Sequence, residues 1–588
     1  MYKIIIDNLK KTIEAEDKKT LLTILRENGI LIPAVCGGLG LCGSCKIKIL
    51  SGKVNKPKSE EKKLLGKMID DGWRLACNVI PSSDLKIYVP IFPSKISKSR
   101  KIKTFEINPE FEIIPYAIKM NSNSLEEEII YYLKKVGYQI EKIEMGLLKQ
   151  LVHIDKRLNI AISYRDIIDF TDKFSAYGIA IDIGTTTVAV SLRDLLTGRL
   201  LDEMSTINSQ TTYGMDIISR ISFCNEEGGL YKLNKAVIDT INGLIKELVT
   251  RNKIDFRSIY RVVVAGNSVM THIFLGIDPY PLGRLPFKPV FREMKNIKAK
   301  KLGLNVNEEA DVITLPLLGS YIGGDLVGDV LASNFLDYRY SVLIDVGTNG
   351  EVLLKKEDKI YAASVPAGPA FEGMGMSSGT IAKSGAIESF SIIGGKILYR
   401  TIGNEKPVGI CGTGYIDLLA ELIDKGIIDR DGRFTGSFDD RIERINGVKS
   451  FIVEFSSNTL NGAHIILSQK DVRKLQLALC SFKTALKTLL LLTDVNTEML
   501  EKVVIAGDFG YKINFENARK IGLVPPCERD KVEFIGNGSL TGAEMVLLSK
   551  KYRELAKELV RMVSVIDLRK QKNFDRFFIQ ELRIGWDA

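Results

Sequence analysis

Histidine is nearly absent from this 588-residue chain: there are three, His153, His272 and His464, and no two are close in sequence. A His-rich catalytic metal site is excluded on that count. Cysteine is scarce as well, and eight are too few for a disulfide scaffold in a chain this long. No run of about 18 uncharged apolar residues occurs, so no membrane span or membrane partner is expected. The greasiest stretch, Leu475–Thr493, is interrupted by Lys483 and Lys487 and reads as a buried helix. The first residues, MYKIIIDNLKK, hold a short apolar run broken by Asp7 and no small-residue cleavage site; they read as a strand, not a signal peptide. The expected location is cytoplasmic, where clustered thiols point to metal rather than disulfides. Lys plus Arg number 82 against 72 for Asp plus Glu, a net charge of +10, too mild at this length to predict a nucleic-acid partner. The remaining composition, 45% hydrophobic and 26% charged, is that of a globular protein. The length predicts roughly three or four domains.

What cysteine there is lies unevenly. Cys36, Cys42, Cys45 and Cys77 fall in the first 77 residues, while Cys224, Cys411, Cys480 and Cys527 are scattered and read as small buried hydrophobes. The first three thiols sit in Cys36-Gly-Gly-Leu-Gly-Leu-Cys42-Gly-Ser-Cys45, between a predicted helix over Lys18–Asn28 and a strand over Lys46–Leu50. Tyr2–Ile6 and Thr12–Ala15 read as a hairpin before that helix. A Gly-dense loop lets the backbone fold tightly around a cluster and point N–H groups at sulfur. The spacing C-x5-C-x2-C with a distant fourth Cys is one residue longer in its first gap than the plant-type ferredoxin pattern. It resembles the adrenodoxin-like variant of the [2Fe–2S] family. Zinc is the rival for four thiols, but zinc ribbons prefer two C-x2-C knuckles and Cys77 stands alone.

After Pro93, Ser94–Lys103 carries five basic residues and no acid, and reads as a solvated linker, with a docking strip for an acidic partner as the sharper reading. Residues from about 105 to 172 give a small mixed segment, with a helix over Leu125–Val136 and a strand pair over Ile154–Ser163, and no chemistry shows there.

The rest of the chain repeats itself. Tyr177–Leu192 reads YGIAIDIGTTTVAVSL and Val342–Leu354 reads VLIDVGTNGEVLL: each is a strand ending in an acid, a Gly-Thr turn and a second strand. Arg261-Val-Val-Val-Ala-Gly-Asn267 likewise resembles Lys502-Val-Val-Ile-Ala-Gly-Asp508. Two copies imply two similar lobes facing each other. Gly184, Thr185, Thr186 and Thr187 in one copy, and Gly347, Thr348 and Asn349 in the other, suit phosphate oxygens. Asp182 and Asp345 at the strand ends suit hydrated Mg2+ or an oriented water. Gly412, Thr413 and Gly414 open a predicted helix over Tyr415–Lys425, a position that suits an anion. The loop Gly319–Asp325 carries an acid that would border the cleft. Gly536-Asn-Gly538-x-x-x-Gly542 imitates a dinucleotide fingerprint, but no βαβ sheet follows it.

The duplicated half resembles the superfamily of actin, the Hsp70 ATPase domain and sugar kinases. Asp182 with Gly184–Thr187, and Asp345 with Gly347–Gly350, match its two phosphate motifs; Gly507 and Asp508 lie where its adenosine motif falls, without the usual Gly-Gly pair. The whole chain resembles the reductive activators of corrinoid proteins. That resemblance implies a β-grasp [2Fe–2S] ferredoxin-like domain (1–93), a basic linker (94–108), a small α/β middle domain (109–174) and a duplicated actin-like, ribonuclease H-like ATPase domain (175–588). It implies ATP, Mg2+ and a [2Fe–2S] cluster as cofactors. It implies a corrinoid protein and a low-potential electron donor as partners, a homodimer, and ATP-dependent reduction of Co(II) corrinoid to Co(I). An activator of the 2-hydroxyacyl-CoA dehydratase kind, a redox-sensing chaperone and a small-molecule kinase are the alternative readings.

Overall fold

The structure, a computed structural model, describes residues 2–15, 19–28, 30, 32, 38, 40, 45–89, 105–118, 123–153, 157–164, 166–436, 438–507 and 513–586. Cys36, Cys42, Asp508 and the basic stretch 94–104 lie outside the described residues.

The first sheet has five strands in the order Lys11–Ala15, Tyr2–Ile6, Leu85–Tyr88, Lys46–Ser51 and Trp73–Leu75. The expected hairpin pairs Tyr2 with Ala15 through Ile6 with Lys11, and Tyr2–Ile6 also runs parallel to Leu85–Tyr88. The helix Leu21–Glu27 buries Leu21, Leu22, Ile24 and Leu25 against this sheet's core. A helix packed across a mixed sheet of this order is the β-grasp arrangement.

A three-stranded antiparallel sheet follows, Phe111–Ala117, Arg157–Ser163 and Asp166–Thr171, with the helix Leu125–Lys135 capped by Ser124. The expected strand pair within Ile154–Ser163 is instead one strand, because the chain reverses only at Tyr164, which has a φ of 51°.

Besides two three-stranded sheets between residues 386 and 468, two six-stranded sheets carry most of the remainder. One has the order Leu200–Ile207, Thr187–Asp194, Tyr177–Ile183, Ile259–Gly266, Asp311–Thr314, Lys295–Lys298. The other has the order Lys359–Val365, Gly350–Lys356, Tyr340–Asp345, Lys502–Ala506, Val532–Gly536, with Val563–Val565 added as an edge strand beside Lys359–Val365. The first five strands correspond one to one: an antiparallel meander of three, then two parallel strands. The repeat in sequence is therefore a repeat in topology. Even the register agrees: Asp182 lies opposite Ala265 in one lobe and Asp345 opposite Ala506 in the other.

Strand periodicity decides which way the acids face. Ile179, Ile181 and Ile183 join the core on one side of the first sheet, shared with the helix Gly229–Asn252. Gly178, Ala180 and Asp182 therefore face the other side. In the second lobe Val342 and Ile344 point to the outer core, which leaves Leu343 and Asp345 on the opposite face. Those two inner faces share one core with the helices Gly324–Ala332 and Gly538–Leu548. The two helices cross closely; a Cβ on Gly328 would fall 2.7 Å from the Ser539 carbonyl oxygen, so only glycine fits.

The helix Gln469–Thr493 is long and apolar enough to cross a membrane by length and composition, but most of it is buried. Its fully buried Lys483 donates to the carbonyls of Arg583 (2.6 Å) and Gly585 (2.7 Å) and pairs with Glu581 (3.2 Å).

Candidate functional site

Between the two inner faces lies a cleft. Asp182, Gly184, Thr185, Thr186, Thr187, Asp345, Gly347, Thr348, Asn349 and Gly507 all line it, so most of the residues singled out from the repeats converge on one place. Gly507 has a φ of 128°, which turns the chain at the end of Lys502–Ala506 into the cleft.

The first loop is held by its carbonyls. Gly184 O accepts from Asn208 Nδ2 (2.8 Å), Thr186 O from Asn208 N (2.8 Å), and Thr185 O from the guanidinium of the fully buried Arg220. A trans peptide sends N–H opposite to C=O. The amides of Thr185 and Thr186 therefore point away from Asn208 and Arg220. In the second loop Thr348 O accepts from Gly368 N (2.9 Å) and Thr348 Oγ1 donates to Glu372 Oε1 (2.8 Å). The loops meet: Asn349 Nδ2 reaches Thr185 Oγ1 at 3.4 Å, and Asn267 Nδ2 reaches the same oxygen at 3.3 Å.

Asp182 is fixed from the far end of the chain. Its Oδ1 accepts from Ser539 Oγ (2.7 Å) and its Oδ2 from Asn537 Nδ2 (2.8 Å). Asn537 also caps the helix Gly538–Leu548, its Oδ1 accepting from Leu540 N at 2.7 Å.

The cleft is acidic. Asp325, Asp329, Glu351 and Glu372 line it beside Asp182 and Asp345, and no Lys, Arg or His is among the described lining residues. Burial pushes the Asp325 carboxyl up to about 6. Burial, then the charges of Asp345, Asp325, Asp182 and Glu351, hold Asp329 well above the usual carboxylate range. Burial and the charges of Asp325 and Asp345 do the same to Glu351. Asp329 Oδ2 is buried without a hydrogen-bond partner. Such a site favours a cation. Mg2+ fits, because it is bound through one or two carboxylates, waters and substrate phosphates rather than by an all-protein cage. Among the described residues no three His, Cys, Asp or Glu converge as such a cage.

Gly412, Thr413 and Gly414 are not brought to the cleft lining. They open the helix Gly412–Asp424, which packs closely on the strand Ala386–Ile393: a Cβ on Gly414 would lie 3.1 Å from the Ile387 carbonyl carbon. Gly414 therefore serves close packing. Asp325 does reach the cleft. Asn537 and Ser539 were hidden in the Gly536–Gly542 stretch that imitates a dinucleotide fingerprint. Asn267 could have been found, since it occupies the last place of the repeated Ala-Gly-Asn/Asp turn.

Two of the four N-terminal thiols are described. Cys45 ends the loop before Lys46–Ser51 and Cys77 follows Trp73–Leu75; pairing of Lys46 with Leu75 brings them together. Their sulfurs lie 3.3 Å apart and both are buried. That is far beyond a disulfide bond of about 2.05 Å and near the ~3.8 Å between two sulfurs 2.3 Å from one tetrahedral metal. Gly38, between Cys36 and Cys42 in sequence, adopts a φ of 97°, and a Cβ there would lie 3.9 Å from Cys77 Cβ, so Gly38 sits beside Cys77. The thiol pair fits an iron–sulfur cluster. Beneath it Glu61 accepts from buried Arg74 through Nε (2.9 Å) and Nη2 (3.1 Å) and from Leu75 N (2.7 Å).

Comparison with known proteins agrees with this division. Residues 4–82 match the 2Fe-2S iron-sulfur cluster binding domain, residues 177–337 the RACo middle region, and residues 339–587 the C-terminal domain of RACo, the ASKHA domain. The family's middle region thus falls on the first six-stranded lobe, not on residues 109–174. The corrinoid activation enzyme RamQ of Eubacterium limosum is 31% identical over 99% of each chain. The [Co(II) methylated amine-specific corrinoid protein] reductase of Methanosarcina barkeri is 26% identical over 69% of this chain and 76% of its own. The solved structure of a reductive activator for corrinoid, iron-sulfur protein superposes with a TM-score of 0.77 at 32% identity, covering 99% of this chain and 98% of that one. The chain belongs to the RACo family of reductive activators of corrinoid proteins, which join an N-terminal 2Fe-2S ferredoxin domain to a C-terminal ASKHA domain.

Proposed function

We propose that this protein transfers one electron from its N-terminal cluster to the Co(II) corrinoid of a methyltransferase corrinoid protein, giving Co(I), and that MgATP in the acidic cleft drives the transfer. The observation that carries this reading is the presence in one chain of a buried thiol pair and a two-lobed, carboxylate-lined cleft. The full-length likeness to named corrinoid activators supports it. Cys36, Cys42, Cys45 and Cys77 would hold the cluster, which supplies one-electron transfer. A low-potential donor returns the electron it gives up. Co(I) is a strong reductant, so the step is uphill: each 59 mV costs roughly 1.4 kcal/mol for one electron. A gap of a few hundred millivolts therefore costs several kcal/mol.

In the cleft, the Gly184–Thr187 and Gly347–Asn349 loops bind phosphate oxygens, Asp182 supports the metal and Asp345 orients the hydrolytic water or metal. Gly507 and Asp508 contribute to the adenosine side. We assign residues 1–93 to the electron carrier, 94–108 to a linker, 109–174 to a small middle domain and 175–588 to the ATP-binding unit. A cytoplasmic homodimer is the working form. Asp345→Ala tests the reading: it should leave the cluster spectrum intact and abolish ATP-dependent Co(II) reduction. Undiminished reduction in that variant overturns the coupling to ATP.

A further inference from the structure

The helix Gly538–Leu548 is engaged at both ends. At its N-terminus, Asn537 and Ser539 hold Asp182 in the cleft. At its C-terminus, the last carbonyls, which have no partner within the helix, are taken by the chain that leads from the cluster domain and by two arginines. Leu548 O accepts from Asn108 N (2.8 Å) and Asn108 O accepts from Lys550 N (2.9 Å). Leu547 O accepts from Arg261 Nη1 (3.3 Å), and Val546 O from Arg553 Nη1 (3.0 Å). The same arginines grip the two residues that follow the linker: Arg261 donates to Pro109 O, and Arg553 Nη2 to Glu110 Oε2 (2.7 Å). Both guanidiniums face the ring of Tyr164, at 4.2 and 4.8 Å, which ties the small middle sheet into the same knot.

The neighbouring linker residues are docked too. Phe105 packs edge-on against Tyr552 (5.9 Å), and Ile107 sits over Gly198, where a Cβ would lie 3.0 Å from Ile107 Cγ1. Residues 105–108, the last of the expected linker, are therefore docked rather than solvated.

We propose that this helix couples the nucleotide cleft to the linker of the cluster domain, and that Arg261 and Arg553 are positioning residues that hold residues 108–110 on its C-terminal end. The inference rests on the reading of the cleft as a MgATP site and of the N-terminal domain as the electron carrier. Eleven residues at 1.5 Å each span roughly 16 Å, so one rigid element reaches from Asp182 to Asn108. A ligand that draws Asp182 away from Asn537 and Ser539 loosens the cap of the helix at one end. The shift arrives at the other end as a change in how the linker is held. The buried Arg193–Glu544 pair (2.6 Å) anchors the middle of the helix to the first lobe, so tilting rather than sliding is the motion available.

The test uses the full-length protein. Amide hydrogen exchange of peptides covering 105–110 and 546–553 is measured with and without MgATP in the wild type and in Asp182→Asn. Exchange at 105–110 should change at least tenfold with MgATP in the wild type and stay unchanged in Asp182→Asn. Asn108→Pro, which removes one donor from an exposed residue, and Arg553→Gln should bind MgATP within twofold of wild type yet lose at least tenfold in ATP-dependent corrinoid reduction. Arg553→Lys should recover part of that loss. Wild-type exchange that ignores MgATP, or full ATP-dependent reduction in both variants, overturns the proposal. If the wild type reduces no corrinoid protein, the proposed activity fails, and the exchange comparison still decides the coupling.

Discussion

The hydroxyls of Thr186 and Thr348 lie 3.1 Å apart, although 162 residues separate them. Each belongs to one copy of the repeated strand-turn-strand, so this hydrogen bond joins the two lobes at the floor of the cleft. Thr348→Val removes both this bond and the one to Glu372. MgATP affinity should fall about tenfold, equivalent to ~1.4 kcal/mol, with an unchanged cluster spectrum. Titration calorimetry measures it, and wild-type affinity would show that the two loops grip the nucleotide without this bridge.

The crowded carboxylates make the empty cleft sensitive to pH. A carboxyl whose pKa is raised by folding contributes stability while protonated and loses that contribution as pH rises through the raised value. Asp325, pushed up from 3.8 to about 6, should therefore lower the Tm of the nucleotide-free protein between about pH 4 and pH 6. Asp325→Asn should flatten that stretch of the Tm profile. MgATP should flatten it as well and release protons on binding, seen as buffer-dependent heats in calorimetry.

The crossing of Gly324–Ala332 and Gly538–Leu548 leaves no room for a methyl group. A Cβ at Gly542 would lie 2.6 Å from the Gly328 carbonyl carbon. Gly542→Ala should destabilise the protein by about 1–3 kcal/mol and weaken MgATP binding, because the same helix carries Asn537's hold on Asp182. Urea unfolding and nucleotide titration check the two effects separately.

In the cluster domain, Glu61→Ala leaves the Arg74 guanidinium buried without its bidentate partner, a loss of about 3–5 kcal/mol. It also frees Leu75 N, two residues before Cys77. Iron content per chain should fall and thermal bleaching of the visible spectrum should come earlier, while MgATP affinity stays at the wild-type value.

The cleft could be read from the sequence wherever its chemistry is local. An acid at a strand end followed by Gly-Thr is contiguous, and its second occurrence announces the second lobe; the matched pairings Asp182 with Ala265 and Asp345 with Ala506 are that repeat in space. Asn537 and Ser539 escaped notice because their partner lies 355 and 357 residues away and their own neighbourhood imitates another motif. Gly412–Gly414 show a related ambiguity: glycines before a helix serve an anion or a close packing equally well, and the approach of Gly414 to Ile387, 27 residues earlier, is visible only in the fold. The docked residues 105–110 carry no motif at all, since their partners, among them the Leu548 carbonyl, Arg261, Arg553 and Tyr552, lie far along the chain.

The buried ammonium of Lys483 has a consequence for the order of assembly. Two of its ligands, the carbonyls of Arg583 and Gly585, come 100 and 102 residues later in the chain. At a synthesis rate of about 5–20 residues per second, that is a wait of roughly 5–20 s. During it the greasy helix Gln469–Thr493 leaves the ribosome with a charge that its final core cannot yet accommodate. The lysine thus keeps an otherwise adhesive segment wet until the residues that enclose it have been made.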